Sequence, residues 1–87
     1  MEEVQWNPLK NEWLRIARGV SFDDLVKRGT LWKAVEHPTR PHQELWLFEY
    51  HRYVWAVPCV RDRKGVFLKT LYPSRKYTKL YQWRATP

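Results

Sequence analysis

The stretch Val66-Phe67-Leu68-Lys69-Thr70-Leu71-Tyr72-Pro73-Ser74-Arg75-Lys76-Tyr77 decides the fold of this 87-residue chain. Its first part, residues 66–72, has the apolar composition of a β-strand with Lys69 in the interior. Pro73 ends the strand, and Ser74 is a residue type that caps helices, so a short basic helix is predicted over residues 74–82. A strand that leads into a cationic helix start predicts a binding site for an anion.

The first helix is predicted close to the start of the chain, after a short edge strand at residues 3–6. Asn7 and Pro8 are the residue types of a helix cap and a first helical position, and Gly19 ends the helix. Its predicted apolar face, which should meet the sheet, consists of Leu9, Trp13, Ile16 and Ala17.

A second helix of about two turns is predicted to follow at once. Ser21 and Asp24 have the spacing of a capping box, and Gly29 ends the helix. Its apolar stripe consists of Phe22, Leu25 and Val26.

Four further strands are predicted over residues 31–36, 44–50, 53–60 and 66–72. A proline-marked loop at 37–42 joins the first of these to the second, and a tight hairpin turn at His51 and Arg52 joins the second to the third. Pro58 cannot donate to a strand ladder, so it is expected near a bulge or beyond the paired residues. The order of elements predicts one α+β domain over residues 1–87. Its sheet is mostly antiparallel, with the two N-terminal helices packed on it and a short C-terminal helix.

The net charge of +7 comes entirely from the last third of the chain. Residues 1–60 hold eight basic and eight acidic side chains, whereas residues 61–87 hold eight basic side chains and one acid, Asp62. Such asymmetry indicates binding to nucleic acid, an acidic protein or a membrane surface, and the alternative is a solubilising face.

Cysteine and hydropathy patterns predict a soluble, cytoplasmic protein. A single cysteine, Cys59, excludes an internal disulfide and is expected to be an inert core thiol. The N-terminus lacks a signal pattern, and no apolar run reaches the ~18 residues of a membrane span.

Most standard catalytic motifs are absent, and neither cofactor nor metal is expected. The chain has three glycines and no glycine-rich phosphate loop, and it has no cysteine pair for zinc. A metal site from Glu36, His37 and His42 is a weak alternative.

The remaining polar residues suit a phosphodiester. Cleavage of RNA beside its 2′-hydroxyl needs a base, an acid and cations near the phosphate, but no metal. Lys69 either lies along a sheet face or points into a cleft. Arg75 and Lys76 oppose the dipole of the last helix unless that helix end receives an anion. His37 or His51 is the candidate acid or base, with an exposed loop histidine as the alternative.

Other residues of the last third are candidates for RNA contact rather than catalysis. Arg61, Arg63 and Lys64 form a basic turn suited to phosphate contacts, and Lys76 and Lys79 continue the basic surface on the last helix. Aromatic residues that either stack on unpaired bases or belong to the core are Tyr72, Tyr77 and Trp83.

Two stretches together resemble the BrnT-type toxins of bacterial type II toxin–antitoxin systems. The first is Val4-Gln5-Trp6-Asn7-Pro8-Leu9-Lys10-Asn11 followed by Arg18-Gly19-Val20-Ser21-Phe22-Asp23-Asp24. The second is Phe67-Leu68-Lys69-Thr70-Leu71-Tyr72-Pro73-Ser74-Arg75-Lys76-Tyr77-Thr78-Lys79, and Glu36-His37-Pro38 also fits small relatives of this group. The order and spacing of these motifs cover nearly the whole chain.

The resemblance implies a RelE-like fold and translation inhibition by metal-independent RNA cleavage. It also implies a cognate antitoxin that binds and blocks the toxin, and through which oligomers form. Carried over by position, its basic residues are Lys69, Arg75, Lys76 and Lys79. Together with the histidine argument above, this makes Lys69, Arg75 and His37 the predicted catalytic residues. The alternatives are a non-catalytic module of the same fold that binds RNA or an acidic protein, and a degenerate toxin.

Overall fold

The computed structural model describes the backbone of residues 3–85 and the side chains of residues 3–83. Its elements are β1 (Glu3–Trp6), α1 (Pro8–Arg18), α2 (Phe22–Arg28), β2 (Thr30–Glu36), β3 (Gln43–Tyr50), β4 (Tyr53–Arg61), β5 (Gly65–Leu68), β6 (Tyr72–Pro73) and α3 (Arg75–Ala85). The strands form one sheet in the order β1-β5-β4-β3-β2, and β6 pairs with β4. Only the edge pair β1–β5 is parallel among these strands. The predicted α+β architecture is therefore confirmed.

The helix starts follow the capping residues that the sequence indicated. The Asn7 side chain accepts hydrogen bonds from the backbone N–H of Leu9 and Lys10, at 2.8 and 3.2 Å. Gly19 closes α1 with φ of 74°, a conformation that glycine adopts without steric cost. Ser21 and Asp24 form the predicted capping box at the start of α2.

The helices cover opposite faces of the sheet, and each face has its own core. On one face, Leu14 of α1 and Phe22 and Leu25 of α2 pack with Val57 and Leu68 of the sheet. On the other face, α3 covers a smaller core that consists of Leu45, Leu47, Val54 and Ala56, flanked by Trp32, Val35, Tyr77 and Tyr81. The molecule therefore has three layers, with the sheet in the middle.

The predicted inward face of α1 is wrong. Leu9 and Ile16 are 82% and 84% exposed and Trp13 is 52% exposed, whereas Leu14 and Asn11 are buried. The Asn11 side chain decides this orientation, because its oxygen accepts a hydrogen bond from the buried N–H of Phe22 at 2.8 Å. An apolar residue in its place would leave that N–H without a partner.

The predicted strand over residues 66–72 is interrupted. β5 ends at Leu68 and β6 begins at Tyr72, so three residues, 69–71, lie opposite two residues of β4, Val57 and Pro58. This irregularity is a β-bulge, and it confirms the expectation that Pro58 lies near one. Lys69 is consequently not in a strand interior but is the first residue of the bulge.

The hairpin between β3 and β4 turns at His51 and Arg52, as predicted. Both residues have positive φ, 53° and 64°, although neither is a glycine or an asparagine. The eight-residue register of β3 on β4 maintains this turn.

Two further predictions concern the membrane and the cysteine. None of the helices within residues 3–85 is long and apolar enough to cross a bilayer. Cys59 is 1% exposed, as expected for a core thiol. Burial, together with the charge of Glu44, raises the pKa of its thiol to about 12, so the thiol is protonated at neutral pH.

Candidate functional site

A cleft of about 440 Å³ opens on the α3 side of the sheet, between the bulge and the loop before β3. Lys69, Thr70 and Tyr72 line it from the bulged segment, and Pro58 forms part of its floor. The loop contributes a second wall that consists of His37, Arg40 and Gln43. Because the loop and the bulge are distant in sequence, only the folded sheet brings these two groups together.

The bulge places Lys69 in the cleft. The Lys69 backbone N–H donates to the Pro58 carbonyl at 2.9 Å, so the backbone is still paired at this point. The Lys69 side chain is exposed, and among the side chains of residues 3–83 and the described backbone its ammonium has neither a hydrogen bond nor an ion pair. A cation that lines a cleft without a partner is available to an anionic ligand.

The opposite wall is a compact turn held by His37. Its Nδ1 accepts hydrogen bonds from the backbone N–H of Thr39 and of Arg40, each at 3.1 Å. The His37 N–H donates to the Gln43 carbonyl at 3.0 Å, and the Gln43 N–H donates to the Arg40 carbonyl at 3.4 Å. Since Nδ1 is an acceptor, the neutral ring carries its proton on Nε2.

A second cleft of about 430 Å³ lies on the other side of the same loop. It shares His37 and Arg40 with the first cleft, but two carboxylates, Glu36 and Glu44, also line it. No group of three or more His, Cys, Asp or Glu side chains in the described part of the chain could hold a metal ion. The metal site considered for Glu36, His37 and His42 is therefore not formed.

The basic turn between β4 and β5 lies at the far end of β5 from Lys69. Lys69 follows Lys64 by five positions along extended chain, which corresponds to about 17 Å between their Cα atoms. Arg61 is held by Glu44 through two hydrogen bonds of 3.1 Å, whereas Arg63 and Lys64 are exposed. The turn is not part of the cleft lining.

Glycine is required at the end of this turn. Gly65 has φ of 148°, and a Cβ at this position would lie 2.0 Å from the Glu3 carbonyl oxygen. The close approach of β1 to β5 depends on this residue.

Helix α3 begins beside the cleft but does not line it. Ser74 caps α3 by accepting a hydrogen bond from the Tyr77 N–H at 3.1 Å. Arg75, Lys76 and Lys79 are exposed on its outer side. Tyr77 is half-buried against the smaller core, with the Lys76 Nζ 5.4 Å from its ring centroid.

The aromatic residues considered for base stacking therefore differ in their environment. Tyr77 packs in the core, whereas Tyr72 is 37% exposed in the cleft and Trp83 is 75% exposed at the end of α3.

Of the three predicted catalytic residues, the fold brings together Lys69 and His37. Arg75 is three residues beyond Tyr72 and is not part of the cleft lining. His51, the alternative histidine, lies at the opposite end of β3 from the 37–42 loop, roughly 25 Å away. It contacts the Tyr50 ring instead, at 4.1 Å between centroids.

Arg40 is a cation of the cleft that was not predicted from the sequence. Its position between Pro38 and Pro41, in the loop that also holds His37, was the signal available. Its guanidinium has no hydrogen bond or ion pair within the described residues.

The lining of the first cleft has the chemistry of an anion site. It combines an ammonium, a guanidinium and an imidazole N–H with no carboxylate, and such donors bind phosphate oxygens. Tyr72 adds an exposed aromatic ring at the edge. No protein-family model, curated protein or solved structure matches this chain.

Proposed function

We propose that this chain is a toxin-type endoribonuclease that binds RNA and cleaves it without a metal in the cleft beside Lys69. The observation that carries the proposal is the meeting of Lys69 with the His37–Arg40 turn across one cleft that no carboxylate lines. The resemblance to BrnT-type toxins and the charge of +7 within residues 61–87 also support RNA as the ligand.

The chemistry is the attack of the ribose 2′-oxygen on the adjacent phosphorus. The 2′-hydroxyl gives up its proton to a hydroxide ion from solvent, the 2′-oxygen bonds to phosphorus, and the bond to the 5′-oxygen breaks. The water molecule formed in this way protonates the 5′-oxygen, which leaves a 2′,3′-cyclic phosphate and a 5′-hydroxyl and restores the hydroxide ion. Negative charge accumulates on the phosphate oxygens in the transition state, and the Lys69 ammonium stabilises it there.

Basic residues outside the cleft extend the path of the RNA backbone. Arg75, Lys76 and Lys79 continue from the cleft along α3, and Arg63, Lys64 and the Glu44-bound Arg61 lie at the far end of β5. These residues contribute affinity that depends on salt, because each phosphate contact releases counterions.

The partner proposed with this function is a cognate antitoxin in the bacterial cytoplasm. The supporting observation is the outer face of α1, where Leu9, Trp13 and Ile16 are exposed next to one another. Residues at i, i+4 and i+7 form one stripe, which suits the apolar face of a partner helix. Oligomers would form through this partner.

A non-catalytic RNA-binding module is the second candidate. It is favoured by one feature of the cleft, namely that its lining has no carboxylate that could act as the general base. This candidate predicts salt-sensitive RNA binding without cleavage.

The test is incubation of the purified, folded protein with single-stranded RNA in the presence of EDTA at pH 6 to 9. Lys69→Ala is compared with Lys27→Ala, because Lys27 is 74% exposed on α2 on the other side of the sheet. We expect Lys69→Ala to lower kcat by about 100-fold or more and to change the RNA affinity by less than about fivefold. Lys27→Ala should resemble the wild type.

Each result decides between the candidates. RNA binding without cleavage at any pH supports the non-catalytic module, and a Lys69→Ala protein with full activity removes Lys69 from the reaction. A folded protein that neither binds nor cleaves RNA contradicts both candidates.

A further inference from the structure

We infer that Arg40 binds the RNA phosphate opposite Lys69, and that His37 is the positioning residue of Arg40 rather than the acid or base of the reaction. The inference rests on the proposed function for the identity of the ligand. Its structural part rests on the hydrogen bonds of the turn at residues 37–43 alone.

The Nδ1 atom of His37 is fully engaged by the turn. It accepts from the backbone N–H of Thr39 and from that of Arg40, each at 3.1 Å. Both donors converge on one nitrogen lone pair, which must be unprotonated to accept them. The imidazole therefore takes the place that the side-chain oxygen of asparagine or aspartate takes in a common turn of this kind.

This arrangement is incompatible with proton transfer by His37. A general acid would need a proton on both ring nitrogens, and a general base would need the proton on Nδ1 so that Nε2 is bare. In each case a proton on Nδ1 would point at two N–H donors and break the turn. His37 can instead donate a hydrogen bond from Nε2 while it holds the loop.

Arg40 is the residue whose position this turn fixes. Its N–H is bound to His37, and its carbonyl accepts a hydrogen bond from Gln43 at the start of β3. Arg40 lines the cleft with Lys69 as well as the second cleft on the other side of the loop, and within the described residues its guanidinium has no hydrogen bond or ion pair. A guanidinium and an ammonium on opposite walls are suited to hold one phosphate, the first in a bidentate manner.

The positioning role is tested by comparing His37→Asn with His37→Ala. Asparagine places a carbonyl oxygen where Nδ1 lies and so keeps both backbone hydrogen bonds, whereas alanine loses them. We expect His37→Asn, which keeps the turn but loses the Nε2–H donor, to lose clearly less kcat/KM than His37→Ala and to leave the pH profile unchanged. His37→Ala should lose about tenfold in both cleavage and RNA affinity.

An acid–base role for His37 predicts a different outcome. Both variants would then lose about 100-fold or more in kcat, and the limb of the pH profile near neutrality would disappear in both. That result would overturn the inference.

The binding role is tested with Arg40→Gln, and Arg28→Gln on α2 is the matched control. Arg28 is 74% exposed on the other side of the sheet, so its loss changes the net charge equally without touching the cleft. We expect Arg40→Gln to weaken RNA affinity about tenfold and to lower the slope of log K against log salt by about 0.7. Equal effects from both variants would show that only net charge matters and would overturn the binding role.

Amide hydrogen exchange separates this inference from the proposed function. Protection of the Thr39 and Arg40 amides should persist in His37→Asn and be lost in His37→Ala, whether or not RNA is cleaved. If the wild type binds no RNA, the proposed function and the phosphate contact both fail, and the exchange data alone decide the positioning role. If protection is equal in the two variants, the positioning role is overturned even where RNA is cleaved.

Discussion

Helices α1 and α3 flank the same sheet from opposite sides, and their outer faces differ. α1 presents Leu9, Trp13 and Ile16 to solvent, whereas α3 presents Arg75, Lys76 and Lys79. Their inner faces are more alike, because each contains a buried polar residue that accepts a hydrogen bond from a neighbouring backbone N–H. The Asn11 side-chain oxygen accepts from the Phe22 N–H, and the Thr78 hydroxyl oxygen accepts from the Val54 N–H, each at 2.8 Å.

The comparison shows that an apolar stripe does not by itself identify the buried side of a helix. α1 has apolar residues on two sides, and the side with Asn11 is the one that satisfies a buried N–H of α2. Leaving such an N–H unpaired costs ~1–3 kcal/mol. The stripe that remains outside is apolar, whereas the outer side of α3 is cationic.

The largest expected effect is on the inner side of α1. Leu14→Ala removes a fully buried side chain from the larger core, and we expect the free energy of unfolding to fall by about 3–5 kcal/mol. Leu9→Ala, on the same helix but 82% exposed, should change it by less than about 0.5 kcal/mol. Urea denaturation measures both values. Similar losses in the two variants would mean that α1 is turned the other way.

The second-largest expected effect on the free energy of unfolding is on the inner side of α3. Thr78→Val keeps the shape of a side chain that is 6% exposed but removes the acceptor of the Val54 N–H. We expect a loss of about 1–3 kcal/mol in the free energy of unfolding. Thr78→Ser retains the hydroxyl and should lose clearly less. If valine is tolerated as well as serine, this hydrogen bond does not orient α3.

The smallest effect on folding is expected on the outer side of α3. The double variant Arg75→Gln with Lys76→Gln should leave stability nearly unchanged, because both side chains are exposed. RNA affinity should fall, and the slope of log K against log salt should decrease by about 1.4, corresponding to two lost phosphate contacts.

The matched control for this variant is Lys27→Gln with Arg28→Gln on α2, which removes the same charge from the opposite side of the sheet. Fluorescence anisotropy with labelled single-stranded RNA at several salt concentrations measures both variants. An equal change in slope for the two would indicate that RNA does not distinguish the faces.

The local elements were predictable from the sequence because short-range chemistry decides them. Asn7, Ser21 and Gly19 mark helix ends through hydrogen bonds and backbone conformations that involve only neighbouring residues. Pro58 lacks an N–H, and for this reason a bulge was predicted near it, where the structure has one.

Only part of the candidate site was predictable, because short-range chemistry does not show which distant segments meet in the fold. Lys69 was conspicuous as a charge within an apolar strand, and His37 as a titratable loop residue. Arg40 gave no such signal, because its importance comes from a cleft whose walls are about 30 residues apart in sequence. Arg75 was predicted to be catalytic because it lies near Lys69 in sequence, but it is not part of the cleft lining.

The sequence by itself determined the order of helices and strands, their ends and the location of the positive charge, since each depends on contacts between near neighbours. The tertiary structure alone decided which side of α1 is buried and which cations share a cleft. The first outcome depends on whether the buried N–H of Phe22 finds an acceptor on another helix, and the second on the sheet that brings the 37–42 loop beside Lys69.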